Sequence, residues 1–300
     1  MNIGLVVASH GRHVLVEDDA GHRILCHLRG KKNASVVGDR VRWMPSGDEG
    51  SVEGVQPRRN IFWRQDEMRT KSFAANLDQV LVLVAAQPEF SESQLTRALI
   101  ACEAAGIAPL VALNKSDLVE DFERAWQRLL PYQRMHYGVL PLSLKRSGEV
   151  DRDKLMAHLE GKATLVLGPS GAGKSTLVNL LVPGATAQTG EISQALNSGK
   201  HTTTSTTWYW CDAQRRTALI DSPGFQEFGL RHIDPAQLAA YMPDLRPHVE
   251  HCRFYNCTHL HEPGCGVIAA VGREDGSGIT PSRYRIYREL FEELSQPPKW

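Results

Sequence analysis

Hydrophobic and polar residues alternate over short distances in the first 66 residues. Apolar and β-branched residues cluster at positions 5–7, 13–16, 23–27, 36–43 and 50–55. Turn-forming sequences such as Asp18-Asp19-Ala20-Gly21 separate these runs. Five short strands predict a small β-barrel of the oligonucleotide/oligosaccharide-binding (OB) type, although SH3-like barrels produce a similar pattern.

The pattern changes near residue 77, where strand-like and helix-like segments begin to alternate. Continuous apolar runs at 80–85 and 107–113 are typical of strands buried on both faces of a parallel sheet. Between them we expect a helix that begins after Ser91 and ends at Gly106. Further segments predict a helix at 122–130 and short strands at 139–142, 165–167 and 217–220. This alternation predicts a doubly wound α/β domain that binds ligands at the carboxyl ends of its strands.

Beyond residue 230 the chain becomes polar and rich in cysteine and histidine, before a predicted helix at 281–294. The sequence therefore predicts a multi-domain protein with three units: a barrel at 1–66, an α/β domain at 67–229 and a mainly helical unit at 230–300.

The composition of the chain bears on its cellular compartment and on the kinds of partner it binds. Lys plus Arg and Asp plus Glu both number 34, so net charge alone predicts no polyanionic partner. No apolar run approaches the roughly 20 residues that cross a bilayer, and the N-terminus lacks the basic segment of a signal peptide. Three of the six cysteines lie between positions 252 and 265, which favours a metal site over disulfides. We expect a cytoplasmic protein without a membrane partner.

A phosphate-binding loop is the strongest chemical signal. Its sequence matches G-x-x-x-x-G-K-[ST] between an apolar strand and a helix-like segment. Such a loop presents backbone N–H groups to phosphate oxygens at a helix N-terminus. The lysine is expected to bridge the β- and γ-phosphates, and the serine after it to bind Mg²⁺. The nine residues are Gly168, Pro169, Ser170, Gly171, Ala172, Gly173, Lys174, Ser175 and Thr176.

A second phosphate-related motif, Asp221-Ser222-Pro223-Gly224, follows the strand predicted at 217–220. By itself this motif is a common turn. Together with the phosphate loop, it predicts that Asp221 supports the Mg²⁺ shell and that the Gly224 N–H senses the γ-phosphate.

A base-recognition motif, Asn114-Lys115-Ser116-Asp117, follows the strand predicted at 107–113. A carboxylate at Asp117 can accept two hydrogen bonds from guanine, whereas adenine offers no such pair of donors. We expect Asn114 to reach the other edge of the base and the stem of Lys115 to cover its face. The backbone N–H of Ser143, after the next strand, is a further candidate for the guanine oxygen.

The C-terminal cysteines form the pattern Cys252-x4-Cys257-x-His259-x5-Cys265. Three thiolates and one imidazole form a closed tetrahedral shell, as in structural zinc sites, and a bound metal would add folding energy. His251 and His261 are alternative nitrogen ligands, and an unmetallated loop is the competing interpretation.

These motifs together resemble the bacterial ribosome small-subunit-dependent GTPase A family. GTPases of the translation-factor type carry the phosphate loop, switch and base motif in that order, whereas here the base motif comes first. The resemblance extends to residues 74–79, to 199–204 and to the zinc motif. It implies an OB barrel, a circularly permuted GTPase domain and a zinc-binding domain. It also implies hydrolysis of GTP to GDP and phosphate in late maturation of the small (30S) ribosomal subunit.

The resemblance further implies roles for particular residues. Phe225 stands where many GTPases have a water-orienting glutamine, so His201 is the candidate for positioning the attacking water; an exposed switch histidine is the alternative. His259 becomes the expected zinc ligand. One of three switch threonines is expected to contact Mg²⁺ and the γ-phosphate: Thr202, Thr203 or Thr204.

Contact with ribosomal RNA is implied for the barrel, whose residues 1–72 carry twelve Lys/Arg against nine Asp/Glu. A solvated charged face is the alternative for any one of these side chains. We expect turnover that rises on the ribosome, and a monomer. Two other functions compete: an RNA-binding scaffold with structural nucleotide, and a P-loop ATPase or kinase, against which Asn114 and Asp117 argue. The candidate contacts are Arg29, Lys31, Lys32, Arg40, Arg42 and Trp43.

Overall fold

The structure is a computed structural model that describes residues 1–28, 35–67, 69–185, 206–224, 227–273 and 275–297. Its N-terminal strands close into a barrel, in which β3 runs parallel to β5 and β4 returns to pair with β1. Alternate side chains of these strands, including Val6, Val41 and Trp43, fill the barrel interior. The expected OB-type barrel is confirmed. Its strands are β1 (Asn2–His10), β2 (His13–Glu17), β3 (Arg23–Leu28), β4 (Arg40–Ser46) and β5 (Glu49–Val55).

A hairpin that the sequence did not reveal follows the barrel. It consists of β6 (Ile61–Gln65) and β7 (Thr70–Ala75), and we call it the junction hairpin. Phe62 and Phe73 on its strands pack against Phe228. The boundary expected at residue 66 falls inside the turn of this hairpin.

The central domain is a sheet flanked by helices, as the alternating pattern predicted. Five strands run parallel in the order β10-β9-β8-β11-β13, and β12 lies antiparallel beside β13. The strands are β8 (Gln79–Ala85), β9 (Ala108–Asn114), β10 (Gly138–Pro141), β11 (Ala163–Leu167), β12 (Thr207–Trp210) and β13 (Ala218–Asp221). The helices are α1 (Glu92–Ala105), α2 (Val119–Arg134), α3 (Gly148–Leu159) and α4 (Lys174–Leu181).

Helix α1 has the ends that its sequence predicted. The Ser91 hydroxyl accepts a hydrogen bond from the Gln94 N–H at 3.3 Å, and Gly106 ends the helix in the left-handed conformation. Strand β12 and helix α3 were not predicted, since neither shows a clear apolar period.

The barrel and the central sheet are joined edge to edge. Strand β1 pairs with β12, with Ala8 opposite Thr207. Beside this joint the buried carboxylate of Glu17 accepts a hydrogen bond from Trp210 Nε1 at 2.7 Å. The same carboxylate pairs with Arg23 at 2.9 Å and lies 3.8 Å from Arg215. The described strands of both domains therefore form one continuous sheet.

The C-terminal region consists of short helices and one longer helix. They are a 3₁₀ helix (Pro235–Tyr241), α5 (Arg246–Val249), α6 (Gly266–Ala270) and α7 (Pro281–Ser295). Its buried residues, including Leu238 and Leu290, belong to the same hydrophobic core as the central domain. Within the described ranges, no helix combines the length and apolarity needed to cross a membrane.

Candidate functional site

The phosphate loop lies between β11 and the N-terminus of α4, as predicted. Two of its glycines are required by close packing. A Cβ at Gly168 would lie 2.2 Å from the Leu83 carbonyl oxygen, and one at Gly173, where φ is 109°, would lie 2.4 Å from Asn114 Nδ2. These contacts seat the loop against the neighbouring strands of the sheet.

Lys174 and Asp221 face each other across the phosphate end of the site. Lys174 Nζ donates to the carbonyl oxygens of Gly168 and Pro169 at 2.7 and 2.9 Å. Burial lowers the pKa of Lys174, and Asp221 partly opposes this effect. Burial raises the pKa of Asp221 to about 6, partly opposed by Lys174. A half-buried cation and carboxylate at this position fit a site for phosphate and a divalent cation.

Gly224 lies next to the same lysine. A Cβ at this glycine would be 3.1 Å from Lys174 Nζ, so the backbone of the switch motif reaches the phosphate end of the site. The neighbouring Ser222 hydroxyl donates to the Val166 carbonyl at 2.7 Å and anchors the motif to β11.

Asn114 holds two loops together. Its Nδ2 donates to the Ala172 carbonyl at 2.9 Å, and its Oδ1 accepts from the Leu144 N–H at 3.1 Å. The side chain is buried, and both ends of its amide contact the protein. The sequence predicts that Asn114 reaches the base; in the structure its side chain joins the phosphate loop to the loop after β10.

Asp117 is held in place by Ser143. The Ser143 hydroxyl donates to Asp117 Oδ1 at 2.7 Å, and this bond lowers the pKa of Asp117. The Ser143 N–H donates to the buried Asp151 at 2.5 Å, so it is not directed at a base. The role expected for the Ser143 backbone is therefore wrong, because Asp151, the third residue after Gly148 in α3, already accepts this hydrogen bond.

A single cleft of about 1050 Å³ joins these groups. The Lys115 side chain extends from the base motif to the Gln87 carbonyl. The predicted residues that line the cleft are Asn114, Lys115, Asp117, Ser170, Gly171, Gly173, Lys174, Ser175, Thr176, Asp221 and Gly224. Ser116, Ser143, Gly168, Pro169 and Ala172 lie beside it in the same loops.

Sequence reasoning missed four charged residues of the cleft, one of which is Lys145 in the loop after β10. Arg64 and Asp66 reach it from the junction hairpin, and Glu227 reaches it from beyond the switch motif. The β-branched and aromatic run Ile61-Phe62-Trp63 could have indicated a strand, but no motif connects that strand to a nucleotide.

Several predicted residues fall outside the part of the chain that the structure describes. They are His201, Thr202, Thr203, Thr204, Phe225, Arg29, Lys31 and Lys32. Of the remaining barrel candidates, Arg40 and Arg42 are exposed, whereas Trp43 is buried. A stacking role for Trp43 is therefore wrong, because the alternation of β4 turns this ring into the barrel core.

The C-terminal cysteines and one histidine converge as predicted. The ligand atoms of Cys252, Cys257, His259 and Cys265 all lie within 4.8 Å of one another. His259 Nδ1 is 3.4 Å from Cys252 Sγ and 3.5 Å from Cys265 Sγ, and these two sulfurs are 3.8 Å apart. A zinc tetrahedron with bonds of about 2.3 Å to sulfur has edges of about 3.8 Å between sulfurs. The four residues fit zinc, whereas His251 and His261 are exposed and outside the cluster.

Surrounding groups orient this cluster. The Gly266 N–H lies 3.3 Å from Cys252 Sγ, and the Ile268 N–H lies 3.4 Å from Cys265 Sγ. The Tyr284 hydroxyl in α7 donates to the His259 carbonyl at 2.8 Å. Such contacts fix ligand orientation, so the cluster and α7 support one another.

Comparisons with known proteins agree with this arrangement. The model of the "RsgA GTPase" family matches residues 55–231. A Variovorax paradoxus protein named "Small ribosomal subunit biogenesis GTPase RsgA" is 72% identical, over 98% of this chain and 92% of its own. A protein of the same name from Paraburkholderia xenovorans is 49% identical, over 98% of this chain and 93% of its own.

Two solved structures share the fold. YjeQ from Thermotoga maritima superposes with a TM-score of 0.75 at 30% identity, covering 99% of both chains. YloQ, described as a circularly permuted GTPase, gives 0.72 at 27% identity, covering 100% of this chain and 97% of its own. With a matching family model over more than half its length and relatives this similar, the chain is a GTP-hydrolysing enzyme and belongs to the RsgA GTPase family.

Proposed function

We propose that this GTPase acts in late maturation of the small (30S) ribosomal subunit and that contact with the subunit and its rRNA accelerates its turnover. One observation carries the proposal: motifs separated by more than one hundred residues meet in a single cleft, in a chain 72% identical to a protein named for small-subunit biogenesis. The exposed Arg40 and Arg42 of the barrel are the described candidates for rRNA contact.

The cleft supports a division of labour along its length. Asp117 would read the guanine edge, with Ser143 keeping the carboxylate oriented and ionised. The N–H groups of the phosphate loop and Lys174 would hold the β- and γ-phosphates. Ser175 and Asp221 would hold Mg²⁺, which neutralises charge on the phosphates when bound. The Gly224 N–H would contact the γ-phosphate. From the sequence, we also propose that His201 positions the attacking water. One of Thr202, Thr203 and Thr204 would contact Mg²⁺ and the γ-phosphate.

The Cys₃His cluster is proposed to hold one structural zinc ion. All four positions are filled by protein ligands, so no coordination site remains for a reacting water. The zinc would therefore stabilise the C-terminal region and take no part in hydrolysis.

We further propose a cytoplasmic monomer with three units. The second and third would divide near residue 230, as expected from the sequence. We place the first boundary before the junction hairpin and not at residue 66, because a boundary at residue 66 would separate the paired strands β6 and β7.

The guanine assignment is tested by Asp117→Asn. This change should lower GTP affinity about 10- to 100-fold, because a mismatched buried hydrogen bond costs about 1–3 kcal/mol, and should improve binding of xanthosine triphosphate. Asp153→Asn, in an exposed turn of α3, is the matched control and should bind GTP normally. Unchanged GTP affinity in Asp117→Asn would refute the assignment.

The ribosomal assignment needs turnover measurements with GTP and ATP, alone and with purified small or large subunits. We expect GTP hydrolysis to rise many-fold with small subunits only. Equal use of ATP would indicate a P-loop ATPase, and GTP turnover unaffected by either subunit would favour an RNA-binding scaffold.

A further inference from the structure

Arg64 lines the cleft from outside the GTPase motifs and contacts Glu227, the third residue after Gly224 of the switch motif. It lies on β6 and lines the same cleft as Lys174, Asp221 and Gly224. Backbone hydrogen bonds fix its position, since the Gln65 N–H donates to the Gly229 carbonyl at 3.1 Å and the Arg231 N–H donates to Gln65 at 2.9 Å. The junction hairpin is thus bound directly to the segment that follows the switch motif.

The guanidinium of Arg64 is only partly used in this arrangement. One of its terminal nitrogens donates to the Glu227 carbonyl, while its Nε is buried with no hydrogen-bond partner. Among the described residues, no carboxylate forms an ion pair with it. Arginine has five N–H donors, so most remain available to a ligand in the cleft.

The residue opposite Arg64 in the junction hairpin makes this position unfavourable for an arginine with only a structural role. Lys71 lies directly opposite Arg64 on β7, and like charges in such a pair destabilise a sheet. Burial lowers the pKa of Lys71, and the charge of Arg64 lowers it further. An anion bound beside Arg64 would relieve this repulsion.

We propose that Arg64 is a catalytic residue of GTP hydrolysis, which supplies positive charge to the γ-phosphate from within the chain. In the reaction, the oxygen of water bonds to the γ-phosphorus and the bond from that phosphorus to the GDP oxygen breaks. One proton of the water stays on the attacking oxygen and the other passes to a γ-phosphate oxygen, so both leave with the phosphate product. Charge spreads over the phosphate oxygens in the transition state, where an arginine stabilises it more than in bound GTP. The inference rests on the phosphate end of the cleft proposed above.

The test compares Arg64→Ala and Arg64→Lys with two controls from the same hairpin. Arg69→Ala removes an exposed arginine, and Lys71→Ala removes the opposing charge without entering the cleft. For each full-length protein, three quantities are measured: kcat for intrinsic GTP hydrolysis, GDP affinity, and formation of the complex with GDP and aluminium fluoride, which imitates the transferring phosphoryl group.

We expect Arg64→Ala to lower kcat by about 10- to 1000-fold and to lose the aluminium fluoride complex, with GDP affinity within about twofold of wild type. Arg64→Lys should recover part of kcat and part of the aluminium fluoride complex. The two controls should match wild type in all three quantities. Equal losses of GDP affinity and kcat in Arg64→Ala would overturn the proposal, since a positioning role through Glu227 predicts them. So would an intact aluminium fluoride complex. A separate variant tests whether this end of the cleft binds the phosphates at all. If it does not, Lys174→Ala will retain wild-type nucleotide binding and turnover.

Discussion

The two regions that flank the GTPase domain are attached to it in different ways. The barrel has its own interior, with Val14, Val16 and Val52 in a cluster separate from the main core. Among the barrel residues that the structure describes, those on the outer side, such as Leu5 and Val7, join the core of the central domain. The C-terminal region instead shares one continuous core with that domain. The barrel is a self-contained unit joined at an edge, whereas the C-terminal region depends on its neighbour.

The lengths of the elements explain this difference. Strands that close on themselves satisfy their backbone and cover their own interior. Helices of four or five residues, such as α5 and α6, are too short to be stable without tertiary contacts. The C-terminal region gains those contacts from the metal cluster and from the surface of α1.

The largest effect should come from the metal cluster. Cys257→Ala should lose the bound zinc and lower the melting temperature of the whole GTPase and C-terminal body, because the two share a core. Structural zinc contributes about 10–16 kcal/mol in small zinc domains. Elemental analysis and calorimetry of the full-length protein measure both effects.

His261→Ala is the matched control for this experiment. It removes an exposed histidine next to the cluster and should keep one zinc per chain, whereas His259→Ala should not. A zinc-free Cys257→Ala protein that melts like wild type would show that the C-terminal region supports itself.

A smaller effect is expected at an ion pair inside the C-terminal region, whose arginine, Arg283, also donates to the Thr96 hydroxyl of α1 at 2.5 Å. Arg283 pairs with Asp244 at 2.8 Å and lies 5.1 Å over the Tyr132 ring. Burial opposes its charge, but Asp244 and Tyr132 outweigh this and keep its pKa above the usual value. Arg283→Met should destabilise the protein by about 3–5 kcal/mol, because the largely buried Asp244 is left without its partner.

Denaturant unfolding of a double-mutant cycle checks this account. Arg283→Met combined with Asp244→Leu should recover much of the lost stability, since no unpaired charge remains. Additive losses would mean that Arg283 and Asp244 do not stabilise each other.

The smallest effect should arise at the barrel joint. Glu17→Gln keeps a hydrogen-bond acceptor for Trp210 but removes the charge that Arg23 and Arg215 approach. We expect a loss of about 1–3 kcal/mol that is confined to the barrel, with GTP affinity unchanged. Hydrogen exchange resolved by peptide measures it, and faster exchange throughout the central sheet would contradict an edge-joined barrel.

Much of the fold was predictable because local patterns agreed with the tertiary structure. Strands β8 and β9 are apolar throughout, and Ser91 and Gly106 mark the ends of α1 as their chemistry requires. The junction hairpin was missed because its stability comes from Phe228, more than 150 residues further along the chain. No local pattern could show that contact.

The functional site was likewise predictable where it depends on local sequence and not where it depends on distant contacts. Residue types and spacing predicted the phosphate loop and the three zinc-binding cysteines, because both lie within short stretches of sequence, whereas the choice of His259 over His261 came from the resemblance. The hydrogen bond from the Ser143 N–H to Asp151 was not predictable, because it depends on where α3 lies relative to this loop in the folded chain. Arg64 enters the cleft on a hairpin that no GTPase motif includes.

The edge-to-edge joint has a consequence for binding to a large particle. Ala8 of the barrel lies opposite Thr207, and Thr207 in turn lies opposite Asp221 at the cleft. A hydrogen-bonded sheet thus sets a fixed spacing between the outer face of the barrel and the nucleotide. Two surfaces at fixed spacing bind with high avidity only where both of their targets are correctly placed at once. If the barrel contacts rRNA as proposed, this joint would favour binding to a surface on which both targets are in place over one in which either is displaced.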